Sequence, residues 1–558
     1  MGSAREPDQG GNGELTPPSA QPRRWSKLKI LLVIIISLPV LFILGTTVEN
    51  IRGRWAWKAF QEEWAAKGEK FDYRQWIPAP IPSEKNFAHS PLLKPLFETE
   101  YDEDSGTFKP ADPEKHEQAR RLFDDLRDLE DTPNESWESG QRLDLAAFQE
   151  SFRKGASPRK PGEFDKRFKE LLEANGVSTD DKAEPPPRVW PRPAKPGKPA
   201  EDILQALGVF TEDMTELARA AKERPLCRFD VNYGALLSAE MPHVMVLHNA
   251  IYCYTLRALA HLAADDIEAA FSDVEMGLFL TDCMSIEPLL LSQMARSSSL
   301  PVVLQAVWEG LADQKWNADQ LATLEKRLSR IDLIENLHRA QLCERDMLNA
   351  YLEKIREDGG IDPFNPAILD ESWWQPTGWF DQNQLRYNAH YMRFHRRIID
   401  LETRTIKPSV AVEQEKFFAE MSQSHPYNII TSIAVVALSS TTPPFGDGQT
   451  NVDLARTACL IELHKLRNGK YPSTLSEVQP PLPLPTDPYS GKPYLYRTAS
   501  GPEAGERYQL YGVGWNQEDD GGRIFLDEDG NIEPKKGDLV WRYSPVPTLP
   551  KIQEPEEK

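Results

Sequence analysis

Cysteine is scarce in this chain of 558 residues, with Cys227, Cys253, Cys283, Cys343 and Cys459 standing far apart and no Cys-x-x-Cys pair or zinc-finger rhythm among them. No thiolate metal or redox motif is therefore available, and buried free thiols are the expected state. Cys253 lies about 11 residues before the expected helix turn at Ala264 and Cys283 about 19 after it, so their heights differ by roughly 12 Å at 1.5 Å per residue, too far for a bridge. Catalytic signatures are missing as well. The 10 histidines include no His-Glu-x-x-His or His-x-His. The nearest pairs, His243 with His248 and His390 with His395, are five residues apart; that spacing turns about 140° around a helix, so neither pair is expected to share a face. There is no Gly-x-Ser-x-Gly elbow, Walker loop or Rossmann glycine pattern, and Gly512-Val-Gly514 is a two-glycine turn. Positive charge is also short: 65 basic residues against 86 acidic ones give a formal charge of −21 with no basic groove. Phosphate contacts need concentrated Lys and Arg, so a nucleic-acid binder is excluded.

Against these absences stands one long apolar run. Leu28 to Val48 contains a single charge, Lys29, over about 21 residues, and a membrane-spanning helix needs roughly 20. It is expected to cross a lipid bilayer. Arg23, Arg24 and Lys27 precede it, while Trp25 and Trp55 flank it at interfacial positions. That arrangement predicts a cytoplasmic N-terminus and an exported body, periplasmic if the membrane is a bacterial inner membrane. Arg52, Arg54 and Lys58 stand on the far side. A cleavable signal peptide would need a small-x-small site, which Leu44-Gly-Thr-Thr-Val48 does not supply. Myristoylation fails because Glu6 stands where Ser or Thr is needed.

Composition divides the remainder. Residues 1–27 read as a disordered tail and 28–48 as the span. Residues 49–184 combine a juxtamembrane helix, in which Trp57, Phe60 and Trp64 recur at helical spacing, with an extended and charged stalk. Residues 185–200 form a Pro/Lys-rich linker that cannot be a regular helix. Residues 201–440 are a helical, repeat-like body. Within it Tyr252 to Leu280 reads as a helical hairpin turning at Ala264-Asp-Asp266, with Ala258, Ala270 and Gly277 at the small positions of one tetratricopeptide-like unit. Asn317-Ala-Asp-Gln320 has capping-box spacing, and Ile429 to Leu438, about ten residues, is long enough for a buried helix but not for a second span. Residues 544–558 are a second disordered tail.

Residues 451–543 read as a small α+β module. Val452, Ala455, Cys459, Leu463 and Leu466 place one apolar stripe on a helix, and Gly469 ends it. Thr474-Leu-Ser-Glu477 has capping-box spacing, while Tyr494 to Arg497 and Tyr508 to Tyr511 read as strands. Asn468-Gly-Lys-Tyr-Pro472, Asp487-Pro-Tyr-Ser-Gly-Lys-Pro493 and Tyr508 to Gly522 together resemble the globular part of the type II secretion major pseudopilins. The resemblance implies an antiparallel sheet packed on a helix, a cell-envelope setting, and calcium held in the loop after the last core strand. No prepilin Gly-Phe junction or fifth-position Glu accompanies the apolar run, so it does not imply a pilus. Pro78-Ala-Pro-Ile-Pro82, Asn86-Phe-Ala and Pro91-Leu-Leu93 are similar to a membrane-proximal stretch of bacterial envelope proteins.

Two places carry candidate sites. By position in the resembling motif, Asn516, Asp519 and Asp520 would be the calcium ligands, and clustered oxygens beside glycines suit a hard cation; the competing reading is a solvated acidic turn. Asp527 to Asn531 reads as a hairpin turn. Trp373, Trp374 and Trp379, set among Gln375, Asp381, Gln382 and Asn383, could stack on a sugar or clamp a peptide; the competing reading is aromatic plugs that seat a loop. The expectation is a non-catalytic, membrane-anchored envelope protein that binds or scaffolds a protein partner. The alternatives are an accessory of a type II secretion-like apparatus and an envelope hydrolase or glycan-binding protein.

Overall fold

The structure is a computed structural model and describes residues 2, 27–102, 107–124, 126, 136–154, 190–357, 376–421, 425–498, 507–527 and 532–544. The two tails expected to be disordered, Trp373, Trp374 and the Asp527 to Asn531 turn lie wholly or mostly outside these residues.

The apolar run and the Trp57-Phe60-Trp64 stripe belong to one helix, α1 (Lys27–Ala65), 39 residues long with Pro39 inside it. At 1.5 Å per residue it measures about 58 Å, nearly twice a bilayer's hydrocarbon core, so its second half extends past any span. From Ile34 onward it is long and apolar enough to cross a membrane, and Leu31, Ile35, Leu41 and Ile43 face outward with more than half their surface exposed. Trp57, by contrast, is buried against Phe60 and Phe71. The stripe therefore packs on the body.

After α1 the chain runs in short turns, as its prolines dictate. Asn86 fixes this segment, since its amide donates to Arg228 O and accepts from Arg228 N, both at 2.8 Å. Phe87 then seats edge-on against Phe279 at 5.0 Å. A small hairpin, β1 (Thr99–Asp102) and β2 (Thr107–Pro110), precedes helices α2 (Pro113–Arg120) and α3 (Leu145–Lys154). The described part of the Pro-rich stretch is extended but not free. Trp190 is buried between Phe152 and Phe210, and Asp202 accepts from Gly197 N at 3.0 Å, pinning the stretch to α3 and to α4 (Pro199–Leu207). α5 (Thr211–Glu223) follows.

The helical hairpin forms as expected: α6 (Pro242–Ala263) turns through Ala264 to Asp266 into α7 (Ile267–Cys283), and Asp266 caps α7 by accepting from Ala269 N. Ala258 and Ala270 are fully buried, and Gly277 lets α8 (Leu290–Ala312) approach through Val303. α9 (Ala318–Leu328) opens on the complete Asn317/Gln320 capping box. α10 (Leu333–Glu357), α11 (Thr377–Arg393), α12 (His395–Ile398), a two-residue pair β3 (Ile399–Asp400) and β4 (Thr405–Ile406), α13 (Pro408–Glu420) and α14 (Ile429–Ser439) complete the body. All five cysteines are free.

The C-terminal helix, α15 (Thr442–Asn468), begins nine residues before the expected module and ends at Gly469, whose φ of +73° supplies the left-handed cap. It is buried on both sides, touching α8, α9 and α10 on one and the strands β6 (Tyr508–Gly512) and β9 (Leu539–Trp541) on the other. Leu466, placed by its spacing in the buried stripe, is 55% exposed. The sheet is antiparallel, ordered β5 (Leu495–Thr498), β6 (Tyr508–Gly512), β9 (Leu539–Trp541), with a separate hairpin β7 (Ile524–Leu526) and β8 (Ile532–Gly537). Thr474 makes no cap: Leu475–Glu477 is a single 3₁₀ turn in which Glu477 accepts from Ser473 N. Trp541 meets Trp137 at 5.0 Å and Trp308 donates to Arg542 O at 2.8 Å, so sheet and body share one core.

Candidate functional site

The Asp487-Pro-Tyr-Ser-Gly-Lys-Pro493 motif builds the first wall of the site. The Asp487 carboxylate accepts from Tyr489 N, Ser490 Oγ and Val513 N, at 2.9, 2.9 and 3.1 Å, which ties the turn to the end of β6. That fold aims Tyr489 inward at α15, where a Cβ on Gly446 would overlap its hydroxyl. Tyr489 Oη donates to Asp447 Oδ1 at 2.6 Å. Further along α15, Asp453 accepts from Gln449 Nε2 at 3.0 Å and from Tyr494 Oη at 3.2 Å. Two helix carboxyls thus receive two tyrosine hydroxyls from the module.

Glu138 forms the opposite wall. It sits on a 3₁₀ turn, Trp137–Ser139, held because Trp137 N donates to Gln305 Oε1 at 2.7 Å. Its Oε1 accepts from Asn451 Nδ2 at 2.6 Å. Glu138, Asp447 and Asn451 line a cavity of about 200 Å³ closed by Trp515, Asp538 and β8. Asp447 and Trp515 are shared with a larger, mostly apolar groove of about 480 Å³ between α13, α14 and the start of α15. Burial dominates the acidities here. Desolvation raises Asp447 and Asp453 to about 7 and raises Glu138 as well, the neutral donors offsetting only part of it. Asp447 is half-buried as a residue, and its Oδ1 is held by Tyr489. Glu138 raises it further by like charge. An acid of this kind can hold or release a proton near neutrality, or ionise against an incoming cation. Neither lining includes a histidine or cysteine.

Behind the groove the histidines depart from expectation. His390 and His395 converge, because α11 ends at Arg393 and the chain turns through Phe394 before α12, which removes the 140° offset of a continuous helix. Both Nε2 atoms lie 3.0 Å from Gln414 Nε2 on α13. All three side chains are buried, and burial lowers His390 to about 4 and His395 to about 3, so both rings are neutral. Gln414 Oε1 and the two Nδ1 atoms have no partner among the described residues. The other pair stays apart as expected, His243 on Glu287 and His248 on Ser299.

The acidic loop is organised from outside. Asp538, raised to about 6 by burial, accepts from Asp520 N and Gly522 N. Asn516 Nδ2 donates to Asp520 at 2.9 Å while its Oδ1 accepts from Glu518 N, and Asp519 turns to Tyr511 Oη and Gly521 N. The structure brings Asn516 and Asp520 together and points Asp519 elsewhere. Among the described residues no three His, Cys, Asp or Glu converge as a metal site. Trp379 is not in a loop: it lies in the first turn of α11, edge-on to Phe380 at 5.0 Å and packed on the Leu352/Ile355 cluster. Asp381 pairs with Arg356 at 2.7 Å, and Asn383 accepts from Ile430 N. Sequence reasoning missed Glu138, Asp447, Asp453 and Gln414. Only Asp453, an acid inside an apolar helix stripe, carries a local signal.

Comparison with protein-family models, with curated proteins and with solved structures finds no match to this chain.

Proposed function

We propose that the chain is a non-catalytic, membrane-anchored protein of the bacterial cell envelope whose body binds or scaffolds a protein partner. In this reading Leu28–Val48 sits in the inner membrane, the N-terminus is cytoplasmic and the body is periplasmic. The observation that carries it is the union of anchor and body in one helix. Beyond the apolar run α1 crosses α11 so closely that a Cβ on Gly53 or Gly378 would overlap the other helix's backbone, and Asn50 Oδ1 accepts from Gly378 N at 2.8 Å. Arg345, buried between Phe71 and Tyr391, pairs with Glu69 at 3.2 Å and donates to Lys70 O at 2.7 Å. A body held this firmly at the end of its anchor suits a fixed platform better than a tethered enzyme that must reach its substrate. An antiparallel sheet packed on a long helix supports the pseudopilin-like reading of residues 451–543.

The test is made in intact cells. Protease added to spheroplasts removes the body if the orientation holds; protection of everything beyond Arg54 reverses it. A benzophenone residue placed in turn at the exposed positions Leu237, Met245 and Leu291 and at the half-buried Phe418 yields a discrete protein adduct from at least one of them. Illumination that gives none from any position overturns the binding role.

A further inference from the structure

The groove between α13, α14 and α15 has three properties that do not follow from folding alone. Its walls are apolar, from Phe418, Val435, Pro443 and Trp515, and its volume of about 480 Å³ lies within the range of built ligand pockets. Asp447 lines the groove and accepts from Tyr489, and its neighbour Glu138, in the adjoining smaller cavity, accepts from Asn451 and Ser136, all neutral donors. Two neighbouring carboxyls with no basic side chain hydrogen-bonded to them among the described residues are complementary to an added cation. Lys535 at the mouth lies 3.6 Å from Glu415, both of them exposed, and Lys536 is exposed at the rim.

Gln414 is the second and independent observation. It is 2% exposed and lines the groove, its Nε2 is taken by His390 and His395, and its Oε1 has no partner among the described residues. A buried amide left half-bonded is unfavourable, and a donor arriving in the groove would satisfy it. A peptide backbone carries such a donor at every residue but proline, whereas a lipid tail carries none.

Location agrees with a peptide. α14 begins beside Tyr427, which meets Arg52 just past the apolar run, and its far end at Ser439 lines the groove. Eleven residues of helix separate the two by about 16 Å. We infer that this groove is a peptide-binding site that takes an apolar residue next to a basic one, the cation meeting Asp447 and a backbone N–H meeting Gln414. The inference rests on the protein-binding reading above and names the surface and the chemistry of the segment bound.

The test uses the full chain in detergent micelles and a fluorescein-labelled peptide, Gly-Leu-Lys-Phe-Leu-Gly, followed by anisotropy. Saturable binding is expected, weakened about tenfold or more when the peptide's Lys is replaced by Glu, and similarly by Asp447→Asn in the protein. Phe418→Asp should abolish it. Because the Lys/Glu comparison leaves the protein unchanged, a folding defect in either variant does not blur the result. Equal binding of both peptides, or no binding up to about millimolar peptide, overturns the proposal. So does a groove that takes dodecylamine, read by calorimetry and lost in Asp447→Asn, but not the peptide, since the ligand would then be an amine lipid. In cells, adducts from Met245 or Leu291 with none from Phe418 would leave the scaffold reading standing and remove the groove.

Discussion

Asp453→Asn should make the protein more stable at high pH and change its pH dependence. Asp453 is 5% exposed, and burial holds its carboxyl at about 7 against an ordinary 3.8. The folded state therefore keeps this proton where the unfolded chain has released it. Stability from the group is full below the unfolded value, falls as pH rises, and is lost once pH passes the folded value. Near pH 5.5 the slope is close to 1.36 kcal/mol per unit, it halves at pH 7 and vanishes above, a loss of about 2 kcal/mol between pH 5.5 and 8.5. Asparagine has no proton to lose, and the site accepts it: its oxygen takes the place of the oxygen facing Gln449 Nε2, and its NH₂ donates to Tyr494 Oη. Gln449 itself is fixed, since its Oε1 accepts from Leu333 N at 2.7 Å. His390 and His395 act in the opposite sense. Their folded values lie below the ordinary 6.5, so they cost stability as pH falls from there toward their folded values of about 4 and 3. They are present in both proteins and cancel in the difference. Thermal unfolding of parent and variant in the same detergent, at pH 5.5, 6.5, 7.5 and 8.5, measures it. The gap should widen in favour of the variant by about 2 kcal/mol, on the order of 2 °C in a chain this long. Parallel curves would mean that the carboxyl titrates as it does in water, and the burial argument would fall.

Gly378→Ala forces a methyl into the backbone of α1 at Glu49 and should cost about 1–3 kcal/mol, with hydrogen exchange rising across residues 49–60; unchanged exchange there would mean that α1 is not docked. Calcium at millimolar concentration should leave the melting temperature of the full chain unchanged, because Asp519 is held by Tyr511 and Asn516 spends its amide on Asp520. A rise that is reversed by chelator and abolished by Asp519→Ala with Asp520→Ala would establish Asn516, Asp519 and Asp520 as a cation site.

What could be read from the chain itself was local. The Asn317 box, the turn at Ala264 to Asp266, the Gly469 stop and the apolar run of α1 each depend on residues within a turn or two of one another, and each is present. Trp379 and the Thr474 sequence show the limit of such signals. A cluster of Trp, Gln, Asn and Pro has loop composition, yet from Thr377 onward α11 is paid for by burial against α1 and α10, which tertiary packing supplies and propensity does not. Thr474 had the right partners at the right spacing, and the chain simply did not continue as a helix after them.

The candidate site was illegible for a different reason. Glu138 and Asp447 are separated by more than 300 residues of sequence, and neither stands in a motif; their acidity arises from being walled in together by Trp515, Asn451 and the tyrosines of the module. Likewise the five-residue spacing of His390 and His395 argues against a shared face only while the helix is continuous, and the break at Phe394 reverses that conclusion. The tyrosines are the link between the two levels. Tyr489 and Tyr494 could be seen as part of a strand-rich motif, but the sequence does not show that their hydroxyls reach back to α15. Once they do, the motif serves a purpose that neither strand propensity nor the pseudopilin resemblance names: it supplies neutral hydrogen bonds to two desolvated acids of α15, Asp447 and Asp453. At Asp447, the one of the two that lines the groove, the module thereby leaves a carboxyl bonded by a neutral hydroxyl and ready to ionise when a positive charge arrives.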